Sequence, residues 1–159
     1  MRQAYGHKAR SGKDTAVNYN IEKYGGKIIR FADPVYKIAT YIQTKLGKKI
    51  EKNPKLLQFI GEGLKAVYHD ENLWVEIAEK KIKKIPSNTN IYIPDLRFKS
   101  EYEMLKKHDF TCIKINRKNR LIDRDENHKS EIDLNEVKFD KEIDNNSTLK
   151  YFYQKLNKL

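Results

Sequence analysis

Apolar residues recur at helical spacing at Val17, Ile21 and Tyr24, and Gly25-Gly26 end the run, predicting a helix over 15–24. Lys27 to Phe31 reads as a strand. Three helical stretches follow over 35–46, 54–68 and 72–85, with Pro54 and Pro86 as punctuation and Asn53 and Asp70 as caps. Ile91 to Asp95 is a strand ending in a carboxylate. A helix is expected over 98–108 with Tyr102 and Leu105 inward, then a strand over 110–115. Before all of these, Ala4-Tyr5 closes a very short first strand, polar for a central position. Residues 117–136 are almost all charged. A fifth strand over 137–143 and a helix over 148–156 complete the chain. Strands alternating with helices predict an α/β fold with a parallel sheet wrapped on both faces. Ligands then sit beyond the carboxyl ends of the strands. The polar signals gather there: residues 6–15, Asp33, Asp95 with Arg97, Arg117 and Asn145.

The stretch Gly6-His7-Lys8-Ala9-Arg10-Ser11-Gly12-Lys13-Asp14-Thr15 is a variant of the phosphate-binding loop, G-x-x-x-x-G-K-[ST]. Such a loop wraps backbone N–H groups around phosphates, and a helix start adds orphan donors and the macrodipole. Lys13 is expected to reach the terminal phosphates, with Thr15 or Ser11 supporting a metal or the anion. The spacing is imperfect. His7 stands where the first glycine belongs, and Gly6 lies one position early. Either the loop carries an extra residue, or His7 fills a turn position that glycine normally takes. Asp14 replaces the usual Ser or Thr. The plain alternative is a lysine-rich surface turn.

Composition narrows the class. A chain of 159 residues is read as one domain able to bury a core, and no apolar run nears the roughly 18 residues that span a bilayer. The first residues lead directly into the loop, so no secretory signal is expected. Cys112 is the only cysteine, which suggests a reducing, cytoplasmic setting and argues against a structural zinc site. The net charge of +11 fits either a nucleic-acid binder or an enzyme for small polyanions. Lysine and asparagine abound everywhere, and clusters such as Lys80-Lys81 with Lys83-Lys84 have ordinary surface spacing. That pattern favours the enzyme.

An ordered set of fragments runs nearly end to end: A-R-S-G-K-D-T (9–15), F-A-D-P-V-Y-K-I-A (31–39), L-L-Q-F-I-G (56–61) and N-L-W-V (72–75). It continues with D-L-R-F-K-S-E (95–101), H-K-S-E (128–131) and I-D-N-N-S-T-L (143–149). In these the chain resembles the deoxynucleoside monophosphate kinases of phages and viruses. The resemblance implies a three-layer P-loop kinase fold, with a parallel five-stranded sheet, a helical monophosphate-binding region over 33–86 and a lid over 117–136. It implies phosphoryl transfer from ATP, with Mg2+, to a deoxynucleoside monophosphate. The loop from Ser11 to Thr15 would hold the donor phosphates, joined by Arg10 unless that arginine is only solvated. Asn145, Ser147 and Thr148 would border the adenine, although a helix cap looks identical. Asp33, Lys37, Gln58, Gly61 and Trp74 are acceptor candidates, with helix surface or core packing as the alternative. Lys8 sits where such loops face the acceptor.

Arg97, two residues beyond a strand-end aspartate, has the planar fork that matches phosphate oxygens, with Phe98 and Glu101 anchoring it. Asp95 is a magnesium candidate through water, or a helix cap. Arg117, Arg120 and Arg124 are lid arginines that closure would bring over the transferring group. His128, Ser130 and Glu131 carry the resemblance without a derivable duty. A homodimer is left open. The competing readings are a P-loop kinase with a non-nucleotide acceptor and a basic nucleic-acid-binding protein with a degenerate loop.

Overall fold

Five parallel strands form one sheet in the order β2-β3-β1-β4-β5. The computed structural model describes residues 1–119 and 129–159. The strands are β1 (Arg2–Gly6), β2 (Lys27–Ile28), β3 (Ile91–Leu96), β4 (Thr111–Asn116) and β5 (Lys141–Asp144). Among the described residues the helices are α1 (Lys13–Tyr24), α2 (Asp33–Lys45), α3 (Pro54–Tyr68), α4 (Leu73–Lys83), α5 (Lys99–Lys107), α6 (Lys129–Ile132) and α7 (Leu149–Leu156). This is the expected α/β architecture. Its helices and strands lie within a few residues of the predicted ones, and α6 falls inside the charged stretch. Of these helices none is long and apolar enough to cross a membrane.

Period-two alternation decides which face each strand residue meets. Ala4, Ile91, Ile93 and Cys112 pack on one face against Ala78 and Ile82 of α4 and Met104 and Leu105 of α5. Tyr5, Tyr92, Ile113 and Ile115 face the other way, toward Ala16 and Val17 of α1 and Phe152 and Leu156 of α7. A third cluster, with Val35, Ala39, Ile60 and Trp74, holds α2, α3 and α4 together.

The polar character of β1 has a local explanation. Gln3 and Tyr5 are buried, but Tyr5 donates to Gln3 Oε1 at 2.8 Å. The amide of Asn20 on α1 donates to both, at 2.9 and 2.7 Å. Buried polar groups are tolerated when they pair, and here they pin α1 to the central strand.

Two strands differ from expectation. β2 stops at Ile28, although the Ile29 amide still reaches the Tyr92 carbonyl at 3.0 Å. The next amides turn away because the Asp95 carboxylate accepts them, Phe31 at 3.2 Å and Ala32 at 3.1 Å. β5 begins at Lys141 rather than Val137. Val137 and Phe139 pack into the core ahead of it, and the Asp140 carboxylate takes the Cys112 amide at 2.7 Å. There Val137 and Phe139 anchor a loop, with Lys138 and Asp140 exposed between and after them, ahead of the ladder. Pro94 is tolerated inside β3 because the β1–β3 register shifts between Ala4 and Gly6, where a ladder donor is not required.

Candidate active site

The segment between β1 and α1 is a tight loop at the carboxyl end of the central strand. Its backbone answers the spacing question. His7 has φ 82, so it fills the left-handed turn position where the motif places glycine. Gly6 serves another purpose: a Cβ there would lie 2.7 Å from the Phe139 ring. Gly12 has φ 108, and a Cβ on it would meet the Asn145 amide nitrogen at 2.5 Å. Glycine is therefore favoured at Gly6 by packing and at Gly12 by conformation and space together.

Lys13, only 6% exposed, turns its ammonium back into the loop. It donates to the carbonyls of His7 at 3.1 Å and Lys8 at 2.5 Å, with Ser11 Oγ at 3.5 Å. The first helical bond of α1 runs from the Ala16 amide to the Gly12 carbonyl at 3.0 Å. The amides before it belong to the helix start, where intrahelical partners are lacking. Asn145, after β5, donates to the Ser11 carbonyl at 2.9 Å and so braces the loop from a strand end two strands away. Burial, with Lys114 and Lys8 nearby, lowers the His7 pKa to about 4 against an opposing hydrogen bond to Asn135, so the imidazole is neutral at pH 7.

Arg97 follows β3 on the adjacent side. Its amide and that of Phe98 both donate to Glu101 Oε2, at 2.7 and 3.0 Å. Its guanidinium Nη1 lies 2.7 Å from Glu131 Oε1. The other Glu131 oxygen accepts the Ala9 amide at 2.9 Å, and the Glu131 carbonyl accepts Lys8 Nζ at 2.7 Å. Burial raises the Glu101 pKa to about 8, with nearby Asp95 adding to the effect. Burial likewise raises Asp95 to about 6, although the Ala32 and Phe31 amides oppose it.

The other candidates divide by location. Asp14 is exposed and pairs with Arg30 at 3.0 Å, while Thr15 is half-buried in the first turn of α1. Arg10 has φ 59 and is exposed. Arg117, with Lys118, His7, Lys8, Asn116, Asp144 and Asn146, lines a cleft of about 330 Å³ beside the loop. Thr148 caps α7 by accepting the Tyr151 amide at 3.3 Å, and Ser147 is exposed next to it. Asp33 opens α2, with Lys37 exposed one turn on. Gln58 is exposed on α3. The carbonyl of Gly61 accepts the Trp74 indole N–H at 2.8 Å, and Trp74 is buried in the helical core. Arg120, Arg124 and His128 lie outside the described residues.

The contacts of two further residues are not legible in the sequence. Glu131 was legible only as part of a family motif, since nothing in its spacing announces a buried carboxylate. Lys65 of α3 places its ammonium 5.5 Å from the centre of the Phe98 ring, a contact between distant elements that no local pattern encodes.

A family model described as deoxynucleotide monophosphate kinase matches residues 49–156, a span that includes Arg97, Glu101, Glu131 and Asn145. The chain is 33% identical over 159 residues to an uncharacterized protein, ORF77, of Ictalurid herpesvirus 1 (strain Auburn), with 97% of this chain and 68% of that protein covered. It is 28% identical over 177 residues to a protein of Acanthamoeba polyphaga mimivirus provisionally named a deoxynucleotide monophosphate kinase, covering 92% of this chain and 89% of the relative. On this similarity the chain belongs to the deoxynucleotide monophosphate kinase family.

Proposed function

We propose that this protein transfers the γ-phosphoryl group of ATP to a deoxynucleoside monophosphate, giving the diphosphate and ADP. One observation carries the reading: a glycine-dependent loop at the central strand end, with a buried lysine, stands beside an arginine anchored through carboxylates. Phosphoryl transfer needs little covalent help. It needs two substrates in line and compensation for charge on the phosphate oxygens. The loop amides and Lys13 would hold the donor phosphates, the ammonium exchanging its loop carbonyls for phosphate oxygens. Arg97 would hold the acceptor phosphate. Arg117 borders the cleft on the donor side, and closure of a lid over 117–136 would bring its arginines over the reacting group and exclude water.

Mg2+ prefers hard oxygen ligands and keeps several waters. Thr15 through its hydroxyl, and Asp95 through water, are the residues that would hold it. When bound, the ion neutralises charge on the β- and γ-phosphates. Asn145 would reach the donor nucleotide from the loop side, with Ser147 and Thr148 near the base. Asp33, Lys37 and the α3 surface around Gln58 would meet the monophosphate.

ADP formation from ATP and Mg2+, measured with each of the four deoxynucleoside monophosphates, tests the proposal. Turnover with at least one of them is expected. No turnover with any, beside salt-sensitive binding to duplex DNA, would assign the basic surface to nucleic acid instead.

A further inference from the structure

Arg97 is gripped at both ends, and the group on its guanidinium comes from a distant part of the chain. Glu131 is 3% exposed, in α6 within the charged stretch. One of its carboxylate oxygens accepts from Arg97 Nη1 at 2.7 Å and the other from the Ala9 amide at 2.9 Å. Its own carbonyl accepts Lys8 Nζ at 2.7 Å. One short helix thus ties the arginine after β3 to the loop after β1. Among the described residues the Arg97 side chain makes no other hydrogen bond, so its remaining donors are left for phosphate oxygens.

We propose that Glu131 is a positioning residue for the transfer: it sets the Arg97 guanidinium relative to the loop of residues 7–12, and so sets acceptor against donor. This rests on the assignment of Arg97 to the acceptor phosphate. In-line transfer depends steeply on geometry, and a displacement of about 1 Å can cost roughly 100-fold in rate. A long arginine side chain, left untethered, samples several rotamers. A buried carboxylate with one oxygen on the guanidinium and one on the donor loop removes that freedom.

A merely structural ion pair would make a different prediction. Its loss would lower the melting temperature and leave the kinetics of the folded fraction intact. Glu131→Gln separates the two. The amide oxygen can still accept from Ala9, but its NH2 group then confronts Arg97 Nη1, donor against donor. With saturating ATP, kcat/KM for the monophosphate is expected to fall about 10- to 100-fold. ATP affinity, titrated separately, is expected to stay within about threefold, since the loop keeps its Ala9 contact.

Adding Glu131→Gln to Arg97→Ala is expected to cost nothing further, because Glu131 acts through Arg97. Wild-type kcat/KM in Glu131→Gln, with Arg97→Ala impaired, overturns the inference and leaves the kinase reading standing. Additive losses in the double variant overturn it as well. Full activity in Arg97→Ala, or no turnover by the wild-type protein, removes the underlying assignment and this inference with it. Should Glu131→Gln fail to fold, Glu131→Asp, which keeps the charge but is too short to span both partners, is read by the same measurements.

Discussion

The strand-end loop region and the α2–α4 helical region treat their chemistry-bearing residues in opposite ways. At the strand ends, Lys13, Glu101 and Glu131 are buried, and each is tied to backbone or to an opposite charge. In the helical region, Lys37 and Gln58 lie at the surface, and Trp74 is committed to a local core. Large apolar side chains there stand in solvent, Phe59 at 73% and Val67 at 69% exposure. One half is preorganised around charge before any ligand arrives. The other presents a surface that a bound nucleotide would have to complete. Under the proposed function, charge stabilisation would fall to the first half, where Arg97 is already held and Lys13 would exchange carbonyl for phosphate partners.

The sharpest way to break this contrast is Lys13→Ala. Charge-assisted contacts are worth about 1.5–3 kcal/mol each before any transition-state gain, so kcat/KM is expected to fall at least about 100-fold. Equal values for variant and wild type in the ADP assay would move the chemistry away from the loop. Arg97→Lys comes next, with an expected loss of about 10-fold or more, because a point charge cannot reproduce a two-pronged contact. Steady-state kinetics with varied monophosphate would show it; wild-type constants would take Arg97 out of the site.

Packing effects are smaller. Gly6→Ala forces a methyl to within 2.7 Å of the Phe139 ring, and overpacking of this kind costs about 1–3 kcal/mol of stability, read from urea unfolding. An unchanged midpoint would mean the ring gives way freely. Trp74→Phe removes the indole donor from the Gly61 carbonyl, which keeps its place in the α3 helix, and is expected to cost about 0.5–1.5 kcal/mol, with KM for the monophosphate nearly unchanged. A large rise in KM in a folded variant would place Trp74 in the base pocket.

The smallest effect is a pH dependence. Glu101 binds its proton more tightly folded (about 8) than at its ordinary value of 4.5, so between those values the native state carries a proton the unfolded chain has lost. Its contribution to stability is therefore full below about 4.5 and lost as pH rises through about 8. Unfolding of wild type and Glu101→Gln is expected to converge or cross in favour of the variant as pH increases. A gap that widens with pH would contradict the assignment.

Much of this was legible in the sequence because it is encoded locally. Helical periodicity, Asn53 as a cap accepting the Leu56 amide, and the alternation in Ile91-Tyr92-Ile93 each depend on neighbours only a few residues away. Phe98 and Glu101 were expected to anchor Arg97 for the same reason; Glu101 takes the backbone amides of Arg97 and Phe98, not the guanidinium. The misses are long-range. β2 ends where it does because Asp95, far along the chain, captures the amides of Phe31 and Ala32. The start of β5 is displaced because Phe139 packs over Gly6. That contact also explains the early glycine, which spacing alone left ambiguous between an extra residue and a substituted turn. The duty of Glu131 was hidden because both carboxylate partners, Ala9 and Arg97, lie on other elements.

Calorimetric titration of ATP with Mg2+ into the wild-type protein and into Lys13→Ala addresses the central claim most directly. The account predicts saturable one-to-one binding to the wild type, and affinity at least about 10-fold weaker in the variant from loss of one charge-assisted contact. Equal affinity in the two proteins, or no binding to either, would contradict it.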